Sequence, residues 1–179
     1  MLQSKQTGLI TELQCMTYLY QLGYQVSVPY GENSRYDLIA DINGKLIRLQ
    51  CKSSSLSDDE TYITFRCVST RTNSNEAIRR KYTPDEIDYF ATFYNNQCYL
   101  VPVTECSTTK NLRFVPPKNG QTKGISFATD YTAEKQIEKI LKSEWALWTK
   151  AEVTCSIQVI GSTNLTFISI SDIILLENK

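Results

Sequence analysis

The dipeptide Asn43-Gly44 constrains the fold of this chain more than any other feature of its sequence. Asn-Gly is the pair most typical of a two-residue type I′ turn, which joins two antiparallel strands. The segment after the turn, Lys45 to Ser53, alternates between two faces. One face carries Leu46, Arg48, Gln50 and Lys52, and the other carries Ile47, Leu49 and Cys51. The sequence therefore predicts a β-hairpin whose first strand is the largely apolar segment from Tyr36 to Ile42.

Helices are predicted before and after a run of strands. Leu9, Leu13 and Met16 recur at helical spacing and predict a helix over residues 5–22, and an apolar stripe predicts a second helix over 132–150. The stripe consists of Ile137, Ile140, Leu141, Trp145 and Trp148. Further extended segments are predicted over 24–30, 61–68, 89–94, 97–103 and, more weakly, 153–176. This order of elements predicts an α+β or mixed α/β fold.

The chain contains no histidine among its 179 residues. This excludes Ser-His-Asp and Cys-His nucleophile arrangements, histidine general bases and histidine metal ligands. A metal ion would therefore have to be bound by carboxylates, backbone oxygens or thiolates. The formal net charge is +0, from 19 basic and 19 acidic residues, so any binding of nucleic acid would have to depend on a local cluster of cations.

The six cysteines and the polar N-terminus favour an intracellular protein. No two cysteines are spaced as Cys-x-x-Cys, which argues against a zinc ribbon or a redox pair. Several lie in apolar strand patterns, where a free thiol behaves as a small buried hydrophobe. No signal-peptide pattern is expected at the N-terminus, and the apolar runs are far shorter than the roughly 20 residues that span a bilayer. We therefore expect reduced thiols, a cytoplasmic location and no membrane partner.

Three polar residues are expected to meet at one end of the hairpin. Asp37 begins an otherwise apolar strand, while Gln50 and Lys52 lie on one face of the partner strand. A turn at Asn43-Gly44 pairs Asp37 roughly opposite positions 50 to 52. Carboxylate and amide oxygens are ligands for Mg²⁺, and a nearby ammonium can act on the water that attacks a phosphodiester or on the charged transition state. The alternative is a hairpin end whose polar side chains are simply solvated.

Glu12 flanks the apolar stripe of the first predicted helix, since it lies between Leu9 and Met16. A carboxylate in that position would point toward the sheet on which the helix packs. It could then join Asp37 in one site. The alternative is a glutamate at the edge of the stripe that extends its carboxylate into water.

The order Glu12, Asp37 and Gln50-x-Lys52, on a helix followed by strands, resembles the PD-(D/E)XK nuclease superfamily. Within the superfamily, the chain is most similar to the branch of group I intron-encoded PD-(D/E)XK homing endonucleases. The resemblance covers residues 7–117. It is carried by the segments Thr7 to Glu12, Leu22 to Gly31, Tyr36 to Ile39, Ile47 to Ser53 and Tyr82 to Val103.

The resemblance implies a restriction-endonuclease-like core, with helices flanking a central mixed β-sheet, and hydrolysis of DNA phosphodiesters with Mg²⁺ or Mn²⁺. Asp37 would be the central metal ligand, Glu12 a ligand or a carboxylate beside the ligands, and Lys52 the residue that orients or activates water. Gln50 would add a neutral oxygen where the superfamily more often has Asp or Glu, and the similar branch also carries Gln there. Cys51 is among the metal-binding positions that the resemblance implies.

A basic and polar segment after the predicted strand at 61–68 is the first candidate for contact with DNA. Residues 69–80 show no apolar period and are expected to form a loop. Arginine and lysine neutralise phosphates, which supplies most of the affinity for DNA. The cations of this region are Arg66, Arg71, Arg79, Arg80 and Lys81. Arg35, close to Asp37, is a second candidate, and a basic loop that is simply solvated is the alternative.

The sequence thus predicts a metal-dependent endonuclease of homing or restriction type that acts on double-stranded DNA. Its core is expected over residues 1–117, with a helix and strand extension over 118–179 that packs on the core or forms an oligomer face. A homodimer or higher homo-oligomer is expected because cutting both strands, or recognising a pseudo-palindrome, favours two-fold symmetry. The alternatives are a Holliday-junction resolvase or repair nuclease of the same fold and a catalytically weak DNA-binding accessory module.

Overall fold

A computed structural model describes residues 4–31, 33–72, 77–118, 120–143 and 145 of the chain. Helix α1 spans Ser4–Gln21, and a second helix, α2, covers residues 133–143. The strands are β1 (Gln25–Ser27), β2 (Leu38–Ile42), β3 (Lys45–Cys51), β4 (Ser55–Leu56), β5 (Tyr62–Arg66), β6 (Val68–Thr72), β7 (Ala77–Lys81), β8 (Tyr89–Tyr94), β9 (Gln97–Pro102) and β10 (Thr109–Arg113). These bounds confirm the predicted first helix, the hairpin and the two strands within residues 89–103.

The Asn43-Gly44 turn has the geometry that the sequence predicts. The φ angles of Asn43 and Gly44 are 54° and 93°, and the Gly44 N–H donates to Oδ1 of Asp41 at 2.6 Å. Strands β2 and β3 consequently pair antiparallel, with Leu38 opposite Leu49. This register places Asp37, directly before β2, across from Gln50 at the end of the hairpin that lies away from the turn.

The central sheet has five strands in the order β1-β2-β3-β8-β9. Strands β3 and β8 pair in parallel and the other neighbours pair antiparallel, so the sheet is mixed, as predicted. The parallel pair sets Gln50 beside Phe90 and Cys51 beside Ala91. The end of β3 is therefore bordered by β2 on one side and by β8 on the other.

Different layers cover the two faces of the central sheet. Successive residues of β8 point to opposite faces, and Ala91 belongs to one core cluster while Phe90 belongs to the other. On the Ala91 face, the helices contribute Cys15, Leu19, Ala133, Ile137 and Ile140. On the Phe90 face, the antiparallel sheet β10-β5-β4 contributes Ile63, Phe65 and Leu112. The fold is therefore α+β, with a mixed central sheet flanked by helices.

Residues 69–80, expected to be a loop, lie largely in a two-stranded ribbon formed by β6 and β7. The two strands pair antiparallel, with Ser69 opposite Arg80 and Arg71 opposite Ile78. The loop prediction was wrong because polar residues occupy both faces of the ribbon, so no apolar alternation marks the strands. The ribbon is defined instead by hydrogen bonds between the backbones of β6 and β7. Strand β10 was missed for a similar reason, since Leu112 is its one buried residue.

The chain divides into two compact units, Met1–Leu141 and Lys142–Lys179. In the first unit, Ile137 and Ile140 of α2 are buried in the core cluster that α1 shares, so residues beyond 117 contribute to the core. The division at residue 117 and an oligomer face over 118–179 stay predictions. Trp148 and the alternating tail over 153–176 lie outside the described residues. No helix among the described residues is both long and apolar enough to span a membrane.

Candidate active site

The backbone of the central sheet fixes three of the predicted site residues side by side. The N–H of Asp37 donates to the carbonyl oxygen of Leu49 in β3 at 2.8 Å. Lys52 lies directly after β3, and its N–H donates to the carbonyl oxygen of Ala91 in β8, also at 2.8 Å. Gln50 lies between these two anchors. The site is thus built on paired strands, and the register of the hairpin fixes the backbone positions from which its side chains extend.

Both hydrogen bonds to the Asp37 carboxylate go to the same oxygen atom. The backbone N–H of Cys51 donates to Oδ2 at 2.7 Å, and Nε2 of Gln50 donates to Oδ2 as well. Oδ1 accepts no hydrogen bond from any residue that the structure describes. The side-chain oxygen of Gln50 likewise has no donor among those residues, although Gln50 is only 7% exposed. One oxygen of each side chain is therefore left for another ligand.

Glu12 and Lys52 complete a cluster of charges around Asp37. Burial and then the negative charge of Asp37 raise the pKa of Glu12, while the Lys52 ammonium lowers it. Burial also raises the pKa of Asp37, against the opposing effects of the Cys51 N–H, the Lys52 charge and the Gln50 amide. Glu12 is thus close enough to Asp37 for the two carboxylates to repel each other, although burial is the larger cause of both shifts. A bound cation would relieve this repulsion.

A hydrogen bond between two hydroxyls joins α1 to the end of β3. Thr11 is buried on α1 next to Glu12, and its Oγ1 lies 3.0 Å from Oγ of Ser53, the residue after Lys52. Oγ1 of Thr11 also donates to the carbonyl oxygen of Thr7 at 3.0 Å, so the Ser53 hydroxyl is the donor in the contact between the two side chains. This bond ties the helix that carries Glu12 to the chain segment that carries Lys52.

The Cys51 side chain lies in the core and not with these charges. Its hydrogen bond with the thiol of Cys15, followed by burial, raises the pKa of the Cys51 thiol well above its usual value. A buried, protonated thiol is a poor ligand for Mg²⁺, which prefers oxygen. What Cys51 can offer a cation is its carbonyl oxygen, which lies 3.4 Å from Nε2 of Gln50. No group of three His, Cys, Asp or Glu side chains in the described part of the chain could hold a metal ion, so any site here combines Glu12 and Asp37 with neutral oxygens.

Tyr82 is a neighbour of Lys52 that the sequence analysis missed. Its hydroxyl oxygen lies 3.4 Å from Nζ of Lys52, and Nζ lies 5.2 Å from the centroid of the tyrosine ring. Thr11 and Ser53 were missed in the same way. All three make contacts between elements that are far apart in the chain, and a lone tyrosine, threonine or serine has no local spacing that would single it out.

Arg35, a candidate for contact with DNA, is engaged within the protein. Its Nε and Nη2 atoms donate to the two carboxylate oxygens of Glu86, at 3.1 and 3.4 Å. Nη1 donates to Oγ of Ser69 at 3.1 Å, and Nη2 also donates to the carbonyl oxygen of Lys81 at 3.3 Å. The guanidinium carbon lies 4.0 Å from the centroid of the Tyr82 ring. Arg35 thus fastens the segment before β2 to the base of the β6–β7 ribbon.

The other basic candidates lie on or beside the ribbon. Arg66 is exposed at the end of β5, and Arg71 lies in β6. In β7, Arg79 and Lys81 are exposed on one face of the ribbon and Arg80 on the other, as the pairing register requires. Arg80 forms an ion pair with Glu86, which Arg35 also contacts. Exposed β7 cations therefore lie on both faces of the ribbon.

Comparisons with known proteins identify the family and the fold of the chain. The sequence matches the PD-(D/E)XK endonuclease family over residues 2–134. The fold is similar to that of a bacterial homing endonuclease, I-Ssp6803I, with a TM-score of 0.66 and 22% sequence identity over 81% of this chain and 97% of that chain. The similarity confirms the restriction-endonuclease-like arrangement of the fold. No curated protein sequence matches the chain. Because the family match spans most of the chain and includes the whole segment from Glu12 to Lys52, this chain belongs to the PD-(D/E)XK endonuclease family.

Proposed function

We propose that this chain is a divalent-metal-dependent DNA endonuclease of the homing type. The observation that carries the proposal is the meeting of two carboxylates, Glu12 and Asp37, with the Lys52 ammonium at the end of paired strands. Membership in an endonuclease family supports hydrolysis of DNA. The similarity of the fold to a bacterial homing endonuclease favours the homing type over the restriction type.

The oxygen atoms of the site fit Mg²⁺ or Mn²⁺, which are hard cations. Asp37 offers Oδ1, Glu12 its carboxylate, Gln50 its side-chain oxygen and Cys51 its carbonyl oxygen. Burial is the largest cause of the raised pKa of both carboxylates, and a bound cation would stabilise their ionised forms. A metal bound here would supply Lewis-acid stabilisation of the phosphate charge. Since Gln50 is neutral, we expect weaker metal binding than at a site with three carboxylates.

The protein groups have separate roles in this proposal. Asp37 is held through Oδ2 by the Cys51 N–H, so that its other oxygen stays in place for the metal. The Lys52 ammonium, which can only donate hydrogen bonds, orients the attacking water through its oxygen and stabilises the charge that develops on the phosphate. The hydrogen bond between Thr11 and Ser53 keeps Glu12 and Lys52 on the same side of the site.

We also propose that the β6–β7 ribbon contacts double-stranded DNA. The major groove admits a two-stranded β-ribbon, and cations on both faces of such a ribbon can reach phosphates on either side of the groove. Arg35 would hold the ribbon from its base and contact DNA little, because its donors are used by Glu86, Ser69 and Lys81. The proposed contact residues are Arg66, Arg71, Arg79, Arg80 and Lys81.

The proposed assembly and location follow from the reaction and from the cysteines. Cutting both strands of a duplex needs two active sites or one that is repositioned, so we propose a homodimer or higher homo-oligomer. The free thiols among the described residues support a reducing, cytoplasmic compartment. They are Cys15, Cys51, Cys67, Cys98 and Cys106.

Cleavage of DNA tests the proposed function directly. The purified chain would be incubated with supercoiled plasmids carrying a library of inserts, in Mg²⁺, in Mn²⁺ or with EDTA, and the cut ends would be sequenced. We expect cleavage with either metal and none with EDTA. Preferential cutting of four-way junctions or damaged duplex would instead indicate a resolvase or repair nuclease. Binding of duplex without cleavage in either metal would indicate an accessory module.

Arg79→Ala is expected to weaken duplex binding about fivefold and to reduce the salt dependence of log Kd by about one unit of slope. Arg79 is exposed on the ribbon and forms no ion pair with any carboxylate among the described residues, so its charge is available to a phosphate. Fluorescence anisotropy over a series of salt concentrations measures both quantities. The matched control is Lys139→Ala on the exposed side of α2. An unchanged slope for Arg79→Ala would contradict the assignment of the ribbon to DNA.

A further inference from the structure

We propose that Tyr82 is a positioning residue for Lys52, and that its hydroxyl holds the lysine ammonium at the end of the central sheet. The inference rests on the proposed function, because it assigns a partner to the lysine of that site. Tyr82 directly follows β7 and is half-buried, with its hydroxyl oxygen 3.4 Å from Nζ of Lys52. No pattern in the sequence links these two residues.

The Lys52 ammonium needs a partner to stay in one place. A lysine side chain has a long and flexible stem, and ordering it costs rotamer entropy. No carboxylate among the described residues forms an ion pair with Lys52, although Glu12 and Asp37 act on it through their charges. The hydroxyl of Tyr82 accepts a hydrogen bond from Nζ, and Nζ lies 5.2 Å from the centroid of the tyrosine ring, within reach of a cation–π contact.

Tyr82 is itself held firmly enough to act as a support. Its ring meets the ring of Phe90 edge to face, with centroids 5.3 Å apart and planes at 88°. Phe90 is only 1% exposed and belongs to the core below the sheet. The guanidinium of Arg35 lies over the Tyr82 ring at 4.0 Å and is bound in turn to Glu86. The hydroxyl is therefore carried by a ring with a buried aromatic neighbour and a fixed cation.

The ring and the hydroxyl of Tyr82 have different contacts, and a substitution can remove one without the other. The ring makes the contacts with Phe90 and Arg35, while the hydroxyl makes the hydrogen bond to Lys52. Tyr82→Phe removes the hydroxyl and keeps the ring. It should therefore leave the base of the ribbon, the fold and the binding of DNA unchanged, and affect only how well the lysine is held.

The test compares Tyr82→Phe with the unaltered protein in single-turnover cleavage at saturating protein. We expect the rate to fall about tenfold, with Kd for DNA and the melting temperature unchanged. In the background of Lys52→Ala, the same substitution should have no further effect, since the hydroxyl acts through the lysine. Tyr62→Phe, at a half-exposed ring over which Arg113 lies, is the matched control and should not change the rate.

The proposal would be overturned if Tyr82→Phe lowered the cleavage rate by the same factor in the unaltered protein and in Lys52→Ala. It would also be overturned if Tyr82→Phe did not lower the rate of the unaltered protein. A fall in melting temperature or DNA affinity that accounts for the slower rate would reduce Tyr82 to a structural residue. A measurement without catalysis separates this proposal from the proposed function. Carbon-13 relaxation at Cε of Lys52 should show a lower order parameter in Tyr82→Phe, and an unchanged value would overturn the proposal whether or not the chain cleaves DNA.

Discussion

Asp37→Asn is expected to lower the rate of metal-dependent DNA cleavage by about a thousandfold or more. The asparagine would keep an oxygen in place of Oδ2, so the hydrogen bonds from the Cys51 N–H and from Gln50 can persist. The negative charge that would attract a divalent cation is lost. Single-turnover cleavage measures the rate, and isothermal titration with Mn²⁺ measures metal binding, which we expect to be much weaker.

The same substitution is expected to raise the melting temperature of the metal-free protein by a few degrees. Burial raises the pKa of Asp37 in the folded protein, so folding is favoured by this group below its unfolded pKa, and that contribution is lost as the pH rises through the folded pKa. At neutral pH the ionised carboxylate thus costs stability, and a neutral asparagine side chain at this position would not carry that cost. An activity loss accompanied by a lower melting temperature would instead point to a damaged fold.

Asp41→Asn is the matched control for Asp37→Asn. Asp41 lies in the same segment but near the turn, where its Oδ1 accepts a hydrogen bond from the Gly44 N–H. An asparagine can accept the same bond, and the position is remote from Lys52 along the hairpin. Cleavage by Asp41→Asn should match that of the unaltered chain. If Asp37→Asn cleaved DNA at the same rate as this control, Asp37 could not be the central metal ligand.

The hairpin could be predicted from the sequence because its turn chemistry determines its register. Positive φ at Asn43 and Gly44 selects one turn type, and the turn then sets Leu38 opposite Leu49. From that pairing, the position of Asp37 across from Gln50 follows without any knowledge of the rest of the fold.

The helical period of α1 was less informative: Leu9 and Leu13 of the predicted stripe are 59% and 57% exposed, and the helix instead buries Thr11, Cys15 and Leu19. The expected position of Glu12 beside an apolar stripe that faces the sheet was therefore wrong, because the small buried residues Thr11 and Cys15 give no strong apolar signal.

The contacts that support the site could not be predicted, because they depend on how distant elements pack. Nothing in the sequence shows that Tyr82 lies beside Lys52 or that the Thr11 hydroxyl meets that of Ser53. Arg35 is an instructive case. A single arginine near a site suggests contact with phosphate, yet the structure commits its donors to Glu86 and the base of the ribbon. Charge in the sequence shows that a cation is present but not which partner it has.

Lys52→Ala is expected to lower single-turnover cleavage by about a thousandfold while binding of DNA and of Mn²⁺ stays nearly unchanged. The backbone of Lys52 is held by the carbonyl oxygen of Ala91, so the substitution should leave the end of β3 in place. Its ammonium makes no ion pair with a carboxylate among the described residues, but its charge lowers the pKa of Glu12 and Asp37, so we expect a modest loss of stability in the metal-free protein. Anisotropy, isothermal titration and thermal melting would establish that the variant still binds and folds.

The contrast between Asp37→Asn and Lys52→Ala separates an enzyme from a binding module. In an enzyme, the first substitution removes metal binding and cleavage together, whereas the second removes cleavage alone, because the lysine acts on water and on the developing phosphate charge. Lys123→Ala, at an exposed position that is not one of the assigned site residues, serves as the control for loss of a positive charge. If Lys52→Ala instead weakened DNA binding in proportion to its effect on cleavage, Lys52 would be a phosphate contact. Another group would then have to orient the attacking water and stabilise the phosphate charge.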